Sequence, residues 1–421
     1  MSKFTMLAAA AAVACFVVVP GVVQAQDSNF KRDRNISVRE RSRPDYDAAG
    51  VRLGGFLAYP KLTASVETSD NVYARAAGEQ DDIYYTLAPE LRLRSNWSRN
   101  ALGGYVNGLI TRYTDLKSEN IETWGAGANG RVDIDRSSRI NFNADYADLN
   151  EPRTAPDTPG TVTKPIAYTS AAARFAASKE FNRLKIAGGA GVTKLNYDDG
   201  YTATNVLVEQ DNRDRTTTVG NVRGDYAISP AAAILAEAVF NKRDYRIVPA
   251  LPQQKRDSDG YELLVGGTFD LSNLMRGELR LGYASQDYDF YAKQSGFSAH
   301  GQVEWFPSQL TTVTGTLSRT VEEGTVNLSP GYFDSAIGVR VDHELLRNVV
   351  LYGQAGFQKD KYKSVDRDDE RTTVGFGATY YVNRVVGVRG GYSYLKQNSS
   401  GIDAGTDYKV NRFSLSLVFQ R

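Results

Sequence analysis

Cysteine and histidine are nearly absent from this 421-residue chain, which holds one Cys (Cys15) and two His (His300 and His343). That scarcity removes Cys/His zinc centres and disulfide frameworks, and no cofactor-binding motif is expected. Charge of one sign is also missing. Fifty Lys and Arg against 49 Asp and Glu leave a formal net charge of +1. A nucleic-acid binder would carry a basic surplus, so nucleic acid is excluded as a partner. Beyond the first 25 residues no window approaches 18 consecutive apolar residues, and a helical membrane span is excluded there. What is plentiful is Tyr (25), Phe (17) and Gly (38), a mixture that favours strands and turns.

The start of the chain reads as a secretory signal. A short positive beginning with Lys3 precedes an apolar, Ala-rich run over residues 4–19, which Pro20 and Gly21 break. Small residues Val23 and Ala25 then fit a cleavage site before Gln26. Cleavage there would remove Cys15 and deliver a thiol-free chain to an oxidising compartment.

The remainder shows period-two alternation. Over residues 139–149, Ile140, Phe142, Ala144 and Tyr146 oppose Asn141, Asn143 and Asp145. Near the end, Phe413, Leu415, Leu417 and Phe419 oppose Arg412, Ser414, Ser416 and Gln420. Successive strand side chains point to opposite faces, so each segment has one greasy side and one wet side. A soluble sandwich alternates as well. Here, however, the segments exceed the usual soluble strand of about 5–6 residues, and charges such as Arg131 and Asp133 sit in mid-segment. The apolar face also carries small residues (Ala126, Ala128, Ala236, Ala238) that would fill a sandwich core poorly.

Strands are expected near 55–68, 83–96, 101–114, 120–134, 139–149, 167–181, 184–197, 213–227 and 231–245. The second half gives 258–271, 276–288, 297–306, 310–321, 332–344, 349–360, 371–382, 385–396 and 408–420. The count is 18, with 16 as the alternative, and closed bacterial barrels use even numbers. Short connections alternate with long ones at 69–82, 150–166, 198–212, 246–257, 322–331, 361–370 and 397–407, with modest ones at 115–119 and 289–296. That alternation suits periplasmic turns and external loops. The fold expected is therefore an all-β, antiparallel, up-and-down transmembrane barrel over residues 53–421. A cleaved signal (1–25) and a polar, basic, flexible periplasmic leader (26–52) precede it. The long proline-bearing loops are expected to lie on the surface. Trp97, Phe181, Trp305 and Tyr381 are read as an interfacial girdle.

Inside the barrel, expected lumen charges mix signs. Arg92, Arg94, Arg131, Arg215, Arg223, Arg280, Arg340 and Arg389 face Glu90, Asp133, Asp145, Asp225, Glu237, Glu262, Glu278 and Asp342. Rows of this kind either select solutes or pair along the wall. Tyr59, Tyr105, Tyr113 and Tyr352 are candidates for a sugar path. His300, near Ser298 and Glu304, is the one candidate for barrel catalysis, and His343 reads as interfacial.

The leader crowds Arg39, Arg41 and Arg43 into Arg39-Glu40-Arg41-Ser42-Arg43-Pro44-Asp45-Tyr46-Asp47, followed by Gly50, Arg52, Gly54, Phe56 and Tyr59-Pro60. Asp70-Asn71-Val72-Tyr73-Ala74, Pro89-Glu90-Leu91 and Arg94-Ser95-Asn96-Trp97-Ser98-Arg99-Asn100 complete a pattern that resembles the putative β-barrel porin 2 family. The resemblance implies an outer-membrane barrel of a Gram-negative bacterium, a channel for small solutes or exported polysaccharide, and no catalytic motif. Expected partners are outer-membrane lipid and the barrel insertion machinery, for which Phe413, Leu415, Leu417 and Phe419 resemble a sorting signal. A polysaccharide or a periplasmic secretion partner is a further expectation. From composition the leader is expected to be a disordered tether, with a place in the lumen or on a periplasmic partner as alternatives.

Overall fold

The computed structural model describes residues 36–156, 158, 160–247, 254–271, 274–324 and 329–421. The expected signal peptide and leader residues 26–35 lie outside them. Among the described residues are eighteen long strands. The first nine are β1 (Phe56–Ser69), β2 (Asp82–Ser95), β3 (Ala101–Tyr113), β4 (Ile121–Asp133), β5 (Ser138–Asn150), β6 (Ala167–Phe181), β7 (Leu184–Tyr197), β8 (Arg215–Ser229) and β9 (Ala232–Tyr245). The second nine are β10 (Ser258–Leu271), β11 (Met275–Tyr288), β12 (Gln294–Ser308), β13 (Thr311–Glu323), β14 (Gly331–Leu346), β15 (Val349–Tyr362), β16 (Asp368–Tyr381), β17 (Val386–Ser400) and β18 (Tyr408–Gln420). Each pairs antiparallel with its chain neighbours, and β18 closes on β1 from Lys61↔Gln420 to Ser69↔Arg412. Closure removes the unpaired edges that hydrocarbon would penalise. The strand count is the expected 18.

Alternation sets the two faces. Outward residues are apolar and bare: Leu263 and Val265 on β10 are 49% and 65% exposed, and Leu415 and Phe413 on β18 are 59% and 57%. At about 3.3 Å per residue and a tilt of about 40°, strands of this length rise roughly 33–40 Å, enough to cross a bilayer and stand above it. Trp97, Phe181 and Trp305 are outward, as expected, at 49%, 46% and 48% exposure. Tyr381 is not. It faces inward against Tyr46, and Tyr380 one residue earlier is the outward ring. A one-residue offset in register reverses the face.

Three short strands supplement the barrel. Val51–Leu53 folds back on Phe56–Ala58 across Gly54 and Gly55, where φ of +59° at Gly54 suits a tight two-residue turn. Gly200–Tyr201 and Leu207–Val208 form a hairpin within the loop after β7. The last loops are shorter than expected because pairing continues beyond the apolar belt. Lys359 bridges Glu370 (2.9 Å) and Asp368 (3.3 Å) there, and both sheet faces at that height are polar.

The long loops depart from the surface default. Arg153, in the β5–β6 loop, pairs with Glu119 at 2.6 Å, and Arg213 pairs with Glu151 at 2.5 Å. The Tyr408 hydroxyl of β18 donates to the Thr154 carbonyl at 3.0 Å. A loop rooted between β5 and β6 thereby reaches β18 and lies across the outer mouth. From the β9–β10 loop, Arg256 donates to the carbonyls of Gly324 (2.6 Å) and Asn212 (2.9 Å).

Candidate channel lumen

Every charged residue expected in the lumen lies on the inward register, opposite the bare apolar face. The wall from β8 to β12 is the densest. Arg223 on β8 binds Asp225 (2.7 Å) and reaches across the wall to Glu278 on β11 (2.8 Å). Arg280 binds Glu237 (2.5 Å) and Glu278 (2.9 Å). Gly266 and Gly282 lie on the inward register between these charges, and neither carries a side chain that would block them. Elsewhere Arg340 chelates Asp342 at 2.8 Å. Arg131 and Arg139 share Asp133 at 3.1 Å each. Glu90 holds Lys61 (3.1 Å) and Arg92. Arg276 holds Glu304. Pairing along the wall is therefore the rule for these groups, which stiffens it and cancels most of their field. Asp145 accepts from Tyr105 (2.9 Å) and Asn143 (2.7 Å). Arg215 lies at the outer end with its guanidinium over the Tyr245 ring.

Four inward arginines break the rule, one of them Arg412 near the outer end of β18, whose Nε finds no hydrogen-bond partner among the described residues. Arg94 near the inner end of β2, Arg174 in mid-β6 and Arg389 near the inner end of β17 form no hydrogen bond or ion pair among the described residues. In the inner half of the barrel, Glu90, Asp133, Asp225, Glu278, Glu304 and Asp342 each already hold a basic side chain. Arg39 of the leader is exposed and, among the described residues, has no partner either. Sequence alternation assigned the faces of Arg94 and Arg389. Which inward charges stay unpaired depends on reach across neighbouring strands.

The leader is not a free tether over its described part. Val38 is fully buried, and its N–H donates to the Thr312 hydroxyl on β13 at 3.0 Å. Arg41 and Arg43 both pair with Glu344 of β14, at 3.2 and 3.1 Å. Glu40 pairs with Arg276 at 2.6 Å. Gln420 on the closing strand donates to the Tyr46 carbonyl at 3.0 Å. All these wall residues lie at the end carrying the short turns, which is the periplasmic end of such barrels. Composition alone reads as disorder; the seat exists because the wall offers a buried carboxylate that needs cations.

His300 lies inward, but its partner is Glu262 on β10 at 2.8 Å, not Glu304. The Ser298 hydroxyl donates to the same Glu262 oxygen. Serine and histidine thus share an acceptor, and neither activates the other. His343 is outward-facing by register and near a turn, where its ring nitrogen meets the Thr311 hydroxyl at 2.9 Å. The tyrosine path is largely covered. Tyr113 stacks on Tyr84 (4.7 Å), and Gly50 of the leader lies against Tyr59. Tyr352 lies against Gly377 with the Arg340 guanidinium 4.6 Å from its ring centre. Tyr105 lies against Gly127. A groove of about 810 Å³ bordered by Leu62, Pro89, Leu91, Val106, Trp124 and Phe419 lies on the apolar outer face, away from the lumen.

A closed eighteen-strand cylinder with an apolar exterior and a charged interior defines a membrane-spanning barrel of the porin class. The family profile described as putative β-barrel porin 2 matches residues 43–421, and the chain belongs to that family. It is a porin-like protein of the outer membrane of a Gram-negative bacterium. No curated protein matches the sequence. Among solved structures, OpdK from Pseudomonas aeruginosa is similar over 86% of this chain and 99% of its own, at 11% identity and a TM-score of 0.44. P. aeruginosa OccK2 (OpdF) in complex with glucuronate matches over 87% and 100%, at 12% identity and 0.47. OccAB3 from Acinetobacter baumannii matches over 88% and 100%, at 10% identity and 0.47. These likenesses are too distant to indicate a solute.

Proposed function

We propose that the barrel is a channel for small solutes and that it prefers small anions. The observation behind this reading is the charge balance of the inner half: the wall carboxylates Glu90, Asp133, Asp225, Glu278, Glu304 and Asp342 are each held by a basic side chain, while Arg94, Arg389 and Arg39 have no acidic partner among the described residues. A carboxylate chelated by arginine presents little net charge to a passing ion. A lone guanidinium, which stays protonated, presents its full charge. Arg174 lies toward the middle of the barrel, within the field of Asp145.

The test is the zero-current potential of the purified chain in a planar bilayer under a KCl gradient. The sign expected is that of chloride preference, and Arg389→Glu with Arg94→Glu moves it toward potassium. A starting chain that already prefers potassium contradicts the reading. A role in exopolysaccharide export rests on the resemblance alone, and no residue of the lumen favours it. A docking role for the leader is weakened by Arg41 and Arg43, both of which are turned to Glu344. Catalysis at His300 gains no support from its partners, since His300 and Ser298 both bond Glu262 rather than each other.

A further inference from the structure

We propose that residues 36–50 are a built-in plug at the periplasmic mouth, and that Glu344 is the latch that holds it. The proposal rests on the channel reading and adds a device to it. The segment meets the inner wall at Arg276 on β11, Thr312 on β13, Glu344 on β14, Tyr381 on β16 and Gln420 on β18. Through the short strand Val51–Leu53 it then joins β1. It is thus a strap laid against the arc from β11 round to β1, about half of the cylinder.

The chemistry of the seat explains why the strap lies there and why it can leave. Glu344 is an inward carboxylate whose side chain is 8% exposed, and its cationic partners are Arg41 and Arg43 of the strap. Its nearest inward neighbour on the same strand, Asp342, is occupied by Arg340. Seated, Glu344 is shielded from water and its carboxylate is met by two guanidinium groups of the strap, the ionic part of the hold. Val38, fully buried, anchors the strap a second time through a hydrogen bond to Thr312. Arg43 secures the strap on itself, donating to the Val38 carbonyl at 2.9 Å, and its guanidinium lies over the Tyr381 ring. No covalent bond or long strand pairing ties residues 36–50 to the wall. Most of the hold is ionic and therefore weakened by salt.

Neutralising the latch without changing its shape separates seating from folding. Chains starting at residue 26, which lack Cys15, would be compared in planar bilayers as the starting sequence, as Glu344→Gln, and as the pair Val38→Cys with Thr312→Cys. Each would first be checked for strand-type circular dichroism. The plug predicts a low conductance level for the starting chain and a second, larger level in Glu344→Gln that grows with salt. It also predicts that the cysteine pair, once joined by an added oxidant, stays at the low level until a reductant is added. One unchanged level in Glu344→Gln and in the oxidised pair overturns the plug and leaves the channel standing. No current from any of the three removes the channel reading, and the plug with it.

Discussion

Val265 offers the sharpest test of which face meets lipid. It sits at the centre of β10, 65% exposed, with Ala236 and Leu281 as its cross-strand partners on the outward face. An arginine at the bilayer midplane of such a barrel costs about 2–4 kcal/mol. The population of unfolded chains should therefore rise roughly 30- to 700-fold, since each 1.4 kcal/mol is a factor of ten. Thr316→Arg is the matched control, an exposed and inward position on β13. It meets water, and its cost should stay within about 0.5 kcal/mol. Urea unfolding from lipid vesicles, followed by the emission of Trp97, Trp124 and Trp305, measures both. Equal stabilities for the two variants would refute the assignment of faces, because a soluble barrel would leave Val265 in water and tolerate the arginine.

Other outcomes follow from particular contacts. Gly282→Val should cost about 1–3 kcal/mol in the same assay, because a Cβ there would collide with the Leu263 carbonyl oxygen and must push β10 and β11 apart. Tyr408→Phe removes the hydroxyl that holds Thr154 and Gln397. It should cost about 0.5–1.5 kcal/mol and speed proteolysis within the β5–β6 loop. In the β4–β5 turn, hydrogen bonds from Ser137 and Ser138 hold the Asp135 carboxyl down to about 2. A carboxyl depressed below its unfolded value adds stability at neutral pH that is lost as pH falls through the folded value. Asp135→Asn should therefore flatten the acid limb of stability between about pH 4 and pH 2, and carboxyl NMR should place the midpoint near 2.

The barrel was legible because its determinant is local. Each strand must be wet on one side and greasy on the other, and that alternation survives in segments as short as Phe413 to Phe419. What the sequence hid depends on separation or on a single step of register. Val38 meets Thr312 across 274 positions, and no composition signals that contact. His300 finds Glu262, 38 residues away, rather than its near neighbour Glu304, because two adjacent hairpins bring β10 and β12 within side-chain reach. Tyr380 and Tyr381 are indistinguishable by type, and only the pairing decides which one faces lipid. The unpaired state of Arg94, Arg174 and Arg389 was equally hidden, since it follows from which neighbouring arginines reach each carboxylate first.

The most direct measurement is a cysteine scan along β13, made in a chain beginning at residue 26 so that no other thiol is present. A membrane-impermeant thiol reagent is added after reconstitution into vesicles. Thr314, Thr316 and Ser318 replaced by cysteine should react through the aqueous interior, while cysteines at Val313, Gly315 and Leu317 should stay protected by lipid. Uniform reactivity along the strand, or protection at the threonine positions, would contradict a water-filled cylinder.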